Sequence, residues 1–171
     1  MSAAIQRLRA ATTLALLGAV LASGCGFQLR GAAGLPPELD VTRIEAPDPD
    51  APFVRELRAQ LVANGVRLAT GAAEPAARLV IRESRIRRRA LSIAADARVR
   101  EYELVFELVF DLYAPDGSAM IRGERLRQVR DYQFDAQEIL GAANEEELLR
   151  EDMIREMARS VLRRLEAVAQ P

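Results

Sequence analysis

The sequence predicts an α+β fold in which two helices pack on one face of a mixed, roughly four-stranded sheet, in the order β-α-β-β-β-α. Two observations lead to this class. The segment Val99–Tyr113 alternates apolar and polar residues with a period of two, and two other segments repeat apolar residues at helical spacing. With 171 residues, the chain has room for one domain with a hydrophobic core.

The first two predicted elements are a strand at Leu39–Ala46 and a helix at Pro52–Asn64. The strand residues alternate between apolar and polar types. The helix has an apolar face whose members recur every four residues: Phe53, Leu57 and Leu61. We expect Asp50 to cap the start of this helix and Asn64-Gly65 to end it.

Three further strands are predicted in the middle of the chain. In Arg78–Ile93 the apolar residues change face, which indicates a β-bulge near Glu83-Ser84. Val99–Tyr113 follows, and the turn signal Ala114-Pro115-Asp116-Gly117 separates it from Ala119–Phe134. That last strand is polar on both faces, so it suits a sheet edge or a surface against a polar partner. Its arginines are Arg122, Arg125, Arg127 and Arg130.

The chain ends in a second predicted helix. Asn144 with Glu147 forms a capping box, and arginines near the end suit the negative end of the helix dipole. An apolar stripe at helical spacing predicts the face that joins the core. It consists of Leu149, Met153, Met157, Val161 and Leu165.

Residues 1–24 are predicted to be a signal peptide. Arg7 and Arg9 precede the apolar segment Ala10–Leu21, which is shorter than the roughly 20 residues that a spanning helix needs. Small residues then lead to Cys25, a pattern that resembles a bacterial lipobox and predicts lipid attachment there; an ordinary signal peptide with a chance cysteine is the alternative. Residues 25–37 would then be the lipidated anchor and tether, and residues 38–171 the single folded domain.

Composition narrows the possible chemistry. The chain has no histidine and one cysteine, which excludes Ser-His-Asp and Cys-His catalysis, an intrachain disulfide and a CxxC metal site. Alternating carboxylates at Glu101, Glu103 and Glu107 could form an acid/base pair, but they are more typical of the polar face of a strand. We therefore expect a protein that is not an enzyme, with no metal and no cofactor besides acyl chains on Cys25.

The motifs together resemble the LptE family of lipopolysaccharide-assembly lipoproteins. The matching stretches are CGFQLRG at Cys25–Gly31, the segment Leu35–Leu68, Glu101-Tyr102, and EDMIREM at Glu151–Met157. The resemblance implies an outer-membrane lipoprotein on the periplasmic side that plugs the LptD β-barrel as a heterodimer, assists barrel assembly and helps insert lipopolysaccharide. Gly26, rather than aspartate, after the cysteine favours the outer membrane. Another periplasm-facing lipoprotein, with a different envelope partner or ligand, is the alternative.

An arginine cluster is the candidate lipopolysaccharide contact. Guanidinium groups bind phosphate and carboxylate in a bidentate fork, and lipopolysaccharide carries both. The candidate residues are Arg87, Arg88, Arg89 and Arg98. The alternative is a solvated or LptD-facing strand end whose charges pair with Glu101 and Glu103. Nucleic-acid binding is disfavoured by the predicted export signal.

Overall fold

The computed structural model describes residues 34–71, 73–93, 99–134 and 139–168. The predicted signal peptide, Cys25, the first part of the tether and Arg98 lie outside these residues. The elements, after a 3₁₀ turn at Pro37–Leu39, are β1 (Val41–Glu45), α1 (Pro52–Ala63), β2 (Arg67–Leu68), β3 (Ala77–Ile93), β4 (Val99–Tyr113), β5 (Ala119–Gln133) and α2 (Ile139–Val168). This order confirms the α+β class.

The sheet is mixed, as predicted, but it has five strands in the order β2-β1-β3-β4-β5. β1 runs parallel to β2 and β3, whereas β3, β4 and β5 are antiparallel. The extra strand is β2, where Arg67 N donates to Asp40 O at 2.8 Å and Ala69 N donates to Thr42 O at 3.0 Å. Two residues are too few to show an alternating pattern, so the sequence alone could not indicate this strand.

The ends of α1 match the prediction at one end only. At its C-terminus, Val66 N donates to Leu61 O at 3.0 Å and Gly65 has a φ of 87°, which is a Schellman motif. At its N-terminus the predicted cap, Asp50, is wrong, because Ala51 holds the cap position without a side-chain bond. Pro52 begins the helix, and its preset φ favours the first turn without a capping side chain.

The core lies between the two helices and one face of the sheet. The alternating residues of β4 from Leu104 to Leu112 are buried there, as predicted. Phe53 of α1 packs edge-on against Phe106, with ring centroids 5.5 Å apart. Met153 and Met157 of α2 are fully buried in the same cluster, which confirms the predicted apolar stripe.

The bulge in β3 is confirmed. The ladder to β4 shifts register between Ile81 and Glu83, so Arg82 is the extra residue. This shift moves the next apolar residue, Ile86, back to the core side, opposite Phe106. The bulge is what allows one long strand to keep a single buried face.

β5 is an edge strand, as its polar sequence indicated. The expectation that it is polar on both faces is wrong, however, because four of its residues are buried in the core or pack against it: Met120, Ile121, Leu126 and Tyr132. Arginines between these positions mask the apolar side in the sequence.

The predicted start of the second helix is also wrong. α2 begins at Ile139, so Asn144 lies within the helix and cannot be its cap. The side chain of the nearby Glu146 instead reaches Arg88 of β3 at 2.8 Å. The acidic segment that resembled a capping box therefore forms a salt bridge to the sheet instead of capping the helix.

Candidate functional site

The predicted arginine cluster lies along β3 and divides between the two faces of the sheet. Arg87 and Arg89 stand opposite Val105 and Glu103 in the ladder, on the face that the helices leave uncovered. Arg88 stands opposite Leu104, on the helix side. Because successive strand residues point to opposite faces, one run of arginines serves two different surfaces.

On the uncovered face, hereafter the open face, the arginines pair with carboxylates of β4. Arg87 Nη2 lies 2.7 Å from Glu107 Oε2, and Arg89 bonds to Glu103. The Glu103 side chain is 10% exposed, whereas that of Arg89 is 62% exposed. The guanidinium groups therefore form the outer layer and cover the acidic row beneath them.

Asp111 anchors the same face near the β4–β5 turn. It is buried and accepts hydrogen bonds from Gly123 N at 2.7 Å and from Arg82 Nε at 2.6 Å. The Gly123 amide and the Arg82 guanidinium lower the pKa of Asp111, although burial opposes them. Gly123 has a φ of 61°, so Asp111 holds a left-handed residue in β5 beside the bulged residue of β3.

On the helix side, Arg88 belongs to a different cluster, hereafter the Glu146 cluster. Its guanidinium lies 4.6 Å from the centroid of the Tyr102 ring and 2.8 Å from Glu146. Glu146 also accepts hydrogen bonds from Tyr132 Oη at 2.5 Å and Arg150 Nη2 at 2.6 Å. These contacts join α2 to all three long strands of the sheet.

The electrostatics of the Glu146 cluster favour a charged carboxylate and a neutral phenol. Burial alone would raise the pKa of Glu146, but hydrogen bonds from Tyr132, Arg150 and Arg88 lower it to about 2. Burial and the hydrogen bond to Glu146 raise the pKa of Tyr132 to about 12. Arg88 therefore acts as a structural link in this conformation.

The structure places three of the four candidate arginines on one strand, but not on one face of the sheet. Arg87 and Arg89 share the open face, Arg88 is on the other face, and Arg98 lies outside the described residues. Each of the three has a carboxylate within salt-bridge distance. Glu103 is one of the two partners predicted by the alternative hypothesis, in which these arginines form a solvated or LptD-facing strand end. Glu107 and Glu146 were not predicted as partners from the sequence.

The arginines of β5 differ from those of β3. Within residues 34–71, 73–93, 99–134 and 139–168, none of the β5 arginines forms a salt bridge. They are Arg122, Arg125, Arg127 and Arg130, all exposed. Arg127 is opposite Glu107 in the ladder, but Arg87 holds that carboxylate. The polar sequence of β5 predicted an arginine-rich surface on this strand. Which of these arginines has a carboxylate within reach in the described residues depends on the strand register, which the sequence does not show.

A cleft of about 690 Å³ is lined by residues of α1, α2, β3 and β4. Its apolar floor consists of Phe53, Ile86, Phe106 and Ile154. Its rim mixes both signs of charge, including Arg55, Arg150, Glu147 and Glu151. This mixed rim gives the cleft no preference for an anionic or a cationic ligand.

The described part of the chain contains neither a metal-ligand cluster nor a membrane-spanning helix. No group of three or more aspartate, glutamate, histidine or cysteine residues is placed there to hold a metal ion. No helix in that part is both long and apolar enough to cross a membrane.

Comparison with known proteins identifies the family. Residues 39–165 match the family described as "LptE: Lipopolysaccharide-assembly". The chain is 30% identical over 159 residues to "LPS-assembly lipoprotein LptE" of Photorhabdus laumondii, a match that covers 93% of this chain and 86% of that protein. It is 30% identical over 153 residues to the Yersinia enterocolitica protein of the same name, covering 87% of this chain and 72% of that protein.

Solved structures agree with this assignment. The solution structure of lipoprotein B from Nitrosomonas europaea matches with a TM-score of 0.71 and 27% identity, covering 83% of this chain and 91% of that one. The crystal structure of rare lipoprotein B from Shewanella oneidensis shares the fold, with a TM-score of 0.64, 24% identity and coverage of 74% and 94%. The chain belongs to the LptE family of non-enzymatic lipopolysaccharide-assembly lipoproteins.

Proposed function

We propose that this protein is an outer-membrane lipoprotein that plugs the LptD β-barrel, assists its assembly and takes part in inserting lipopolysaccharide into the outer leaflet. The observation that carries this proposal is the family match over residues 39–165. Acyl chains on Cys25 anchor the protein to the periplasmic side of the membrane, and the folded domain enters the barrel lumen. No cofactor takes part.

The open face of the sheet suits a polar lumen. A barrel interior is lined by polar groups and holds water, so a protein inside it needs a hydrated surface. The pairs Arg87–Glu107 and Arg89–Glu103 provide such a surface, because each exposed guanidinium is already matched by a carboxylate. This face can therefore lie beside polar partner groups without leaving a charge unpaired.

Lipopolysaccharide contact is proposed for Arg87, Arg88, Arg89 and Arg98. The side chains of Arg87 and Arg89 are 56% and 62% exposed, so a phosphate group can reach them from solvent. A phosphate would compete with Glu107 and Glu103 for these guanidinium groups. Exposed ion pairs contribute only about 0–1 kcal/mol, so for Arg87 this exchange has a small cost and depends on salt concentration. For Arg89 the cost is larger, because the Glu103 side chain is only 10% exposed and would lose its partner.

Co-purification tests the partner. The tagged chain is extracted in mild detergent, and LptD should be recovered with it in near-equal amounts. Depletion of the protein should leave LptD misassembled and lipopolysaccharide inside the periplasm. Normal surface lipopolysaccharide after depletion would contradict the proposal, and recovery of a different envelope protein would favour the alternative reading.

The arginine contact needs variants that leave the Glu146 cluster intact. We expect Arg87→Ala with Arg89→Ala to weaken lipopolysaccharide binding by about 3- to 10-fold at low salt and less at high salt. Arg98→Ala is a separate test. The matched control is Arg159→Ala with Arg163→Ala, which removes two arginines that pair with Glu156 on α2. If binding persists while LptD association falls, the cluster belongs to the protein interface.

The lipid anchor has its own test. Intact mass measurement of the mature protein should show acyl chains on an N-terminal Cys25, and Cys25→Ala should move the protein from the membrane fraction to the soluble periplasm. An unmodified Cys25 in the membrane-bound protein would contradict the anchor.

A further inference from the structure

We propose that the outer edge of β5, which pairs with no described strand other than β4, is a docking site for an extended, acidic polypeptide segment, which adds to the sheet as a further strand. The two edges of the sheet differ in kind. β2 ends one side with only Arg67–Leu68, whereas β5 ends the other with the full length of Ala119–Gln133. Short edge strands prevent pairing with other chains, and a long exposed one permits it.

The backbone register identifies which residues of β5 point outward. Phe134 N donates to Arg100 O at 2.8 Å, so these two residues form a hydrogen-bonded pair of the antiparallel ladder. Pairs alternate between bonded and non-bonded types, and the register has no shift from Glu124 to Gln133. The amides and carbonyls of the odd-numbered residues therefore face the outer edge. These residues are Arg125, Arg127, Val129, Asp131 and Gln133.

The side chains of these outward residues favour an acidic partner. Arg125 and Arg127 lie on the open face, opposite Val109 and Glu107 in the ladder, and they are exposed. Neither forms a salt bridge within the described residues. They are two residues apart, a spacing of about 7 Å, which an extended segment with alternating carboxylates matches. Opposite charges facing each other across a strand pair stabilise it.

The same charges disfavour a second copy of this chain. β5 carries four arginines and two carboxylates, Glu124 and Asp131, so two copies of β5 bring together an excess of positive charge. Glu124 already pairs with Arg164 of α2 at 3.0 Å. An acidic segment removes the excess, whereas pairing with another β5 doubles it. The partner is defined by this chemistry alone and need not be the LptD barrel.

A designed peptide tests strand addition on the purified full chain. The probe is a capped nine-residue peptide, Thr-Val-Thr-Val-Thr-Glu-Thr-Glu-Thr, whose glutamates face Arg125 and Arg127 when it pairs antiparallel. The control peptide has lysine in place of both glutamates. We expect saturable binding of the acidic peptide and at least about tenfold weaker binding of the control.

Amide hydrogen exchange gives a readout that charge attraction alone cannot produce. With the acidic peptide bound, the amides of Arg127, Val129 and Asp131 should exchange more slowly. The amides of Gln128 and Arg130 already bond to β4, so their exchange should change little. The proposal would be overturned if exchange slowed equally at the outward amides and at the amides that bond to β4. It would also be overturned if exchange at the outward amides did not slow.

Two variants separate the backbone from the charges. Val129→Pro removes an outward amide that makes no ladder bond, and should weaken the acidic peptide by about tenfold or more. Arg125→Gln with Arg127→Gln should weaken it by about 2- to 30-fold, whereas the matched control, Arg55→Gln with Arg58→Gln on α1, should not. If Val129→Pro does not fold, the exchange pattern of the unmodified chain still decides the question.

Three outcomes would refute strand addition. One is no binding of the acidic peptide at 1 mM, roughly the weak limit for a short segment. Another is dimerisation of the chain through β5, seen as slowed exchange of the outward amides without peptide. The third is binding of anionic lipid vesicles that depends on Arg125 and Arg127 while the peptide does not bind, which would assign these arginines to a lipid.

Discussion

The Glu146 cluster allows a quantitative prediction for Glu146→Gln. The Glu146 side chain is 15% exposed and accepts hydrogen bonds from Tyr132, Arg88 and Arg150. Although burial opposes them, these hydrogen bonds lower the pKa of Glu146 from 4.5 to about 2. Each tenfold change in proton affinity corresponds to about 1.4 kcal/mol, so the charged form stabilises the fold by up to roughly 3 kcal/mol. Because the glutamine carbonyl can still accept one bond, we expect a loss of about 2 kcal/mol.

The contribution of Glu146 to the free energy of unfolding should depend on pH in a predictable direction. Because folding lowers the pKa of Glu146 to about 2, its contribution is complete above the unfolded value near 4.5 and is lost as the pH falls toward 2. The unmodified protein should therefore lose more stability between pH 4.5 and pH 2 than Glu146→Gln does. Urea unfolding at several pH values in this range, followed by circular dichroism, measures both curves.

The matched control is Glu145→Gln, the same substitution one residue earlier on α2. Glu145 is exposed and forms no salt bridge in the described residues, so its replacement should change the free energy of unfolding by less than about 0.5 kcal/mol. The reasoning fails if Glu146→Gln is as stable as this control at pH 7, or if the curves for Glu146→Gln and the unmodified protein run parallel below pH 4.5. Either result would mean that the cluster does not stabilise the native state.

Three further substitutions test other parts of the fold by urea unfolding. Asp111→Asn should cost about 1–3 kcal/mol, because Asp111 is buried and accepts from Gly123 N and Arg82; an unchanged midpoint would contradict this role. Gly123→Ala should cost about 1–2 kcal/mol from its φ of 61° alone, since nothing lies within 4 Å of the new methyl group. Met157→Ala should lower the free energy of unfolding by about 2–5 kcal/mol, and its control Met157→Leu by less than about 1.5 kcal/mol. Equal losses for the two variants would argue against tight packing around Met157.

Much of the fold follows from local patterns that the sequence displays directly. The alternation in β4 requires one buried face, and the structure buries Leu104 and Leu112 on it. The change of face in β3 requires a bulge, which occurs at Arg82. Asn64-Gly65 ends α1 because glycine accepts the positive φ that the motif needs. In each case the signal lies within a few residues of the structure that it predicts.

Other features depend on contacts between distant residues and could not be predicted. β2 forms because the chain after α1 meets β1, and α2 extends to Ile139, before the residues that resembled its cap. For the candidate site, the sequence located the arginines of β3 but not their partners. Arg88 and Glu146 are 58 residues apart, so only the packing of α2 on the sheet brings them together.

The sequence by itself therefore determined the α+β class, the buried faces of the long strands and helices, and the resemblance to the LptE family. These depend on periodicity and on short motifs, which are local properties. Only the tertiary structure decided which arginines carry a partner. Strand register places Glu103 directly opposite Arg89 and puts Glu107 diagonally across the ladder from Arg87, within salt-bridge distance. The same register turns the amides of Arg125 and Arg127 away from β4, toward the outer edge of the sheet. Register and packing are set by the whole core, so no single segment encodes them.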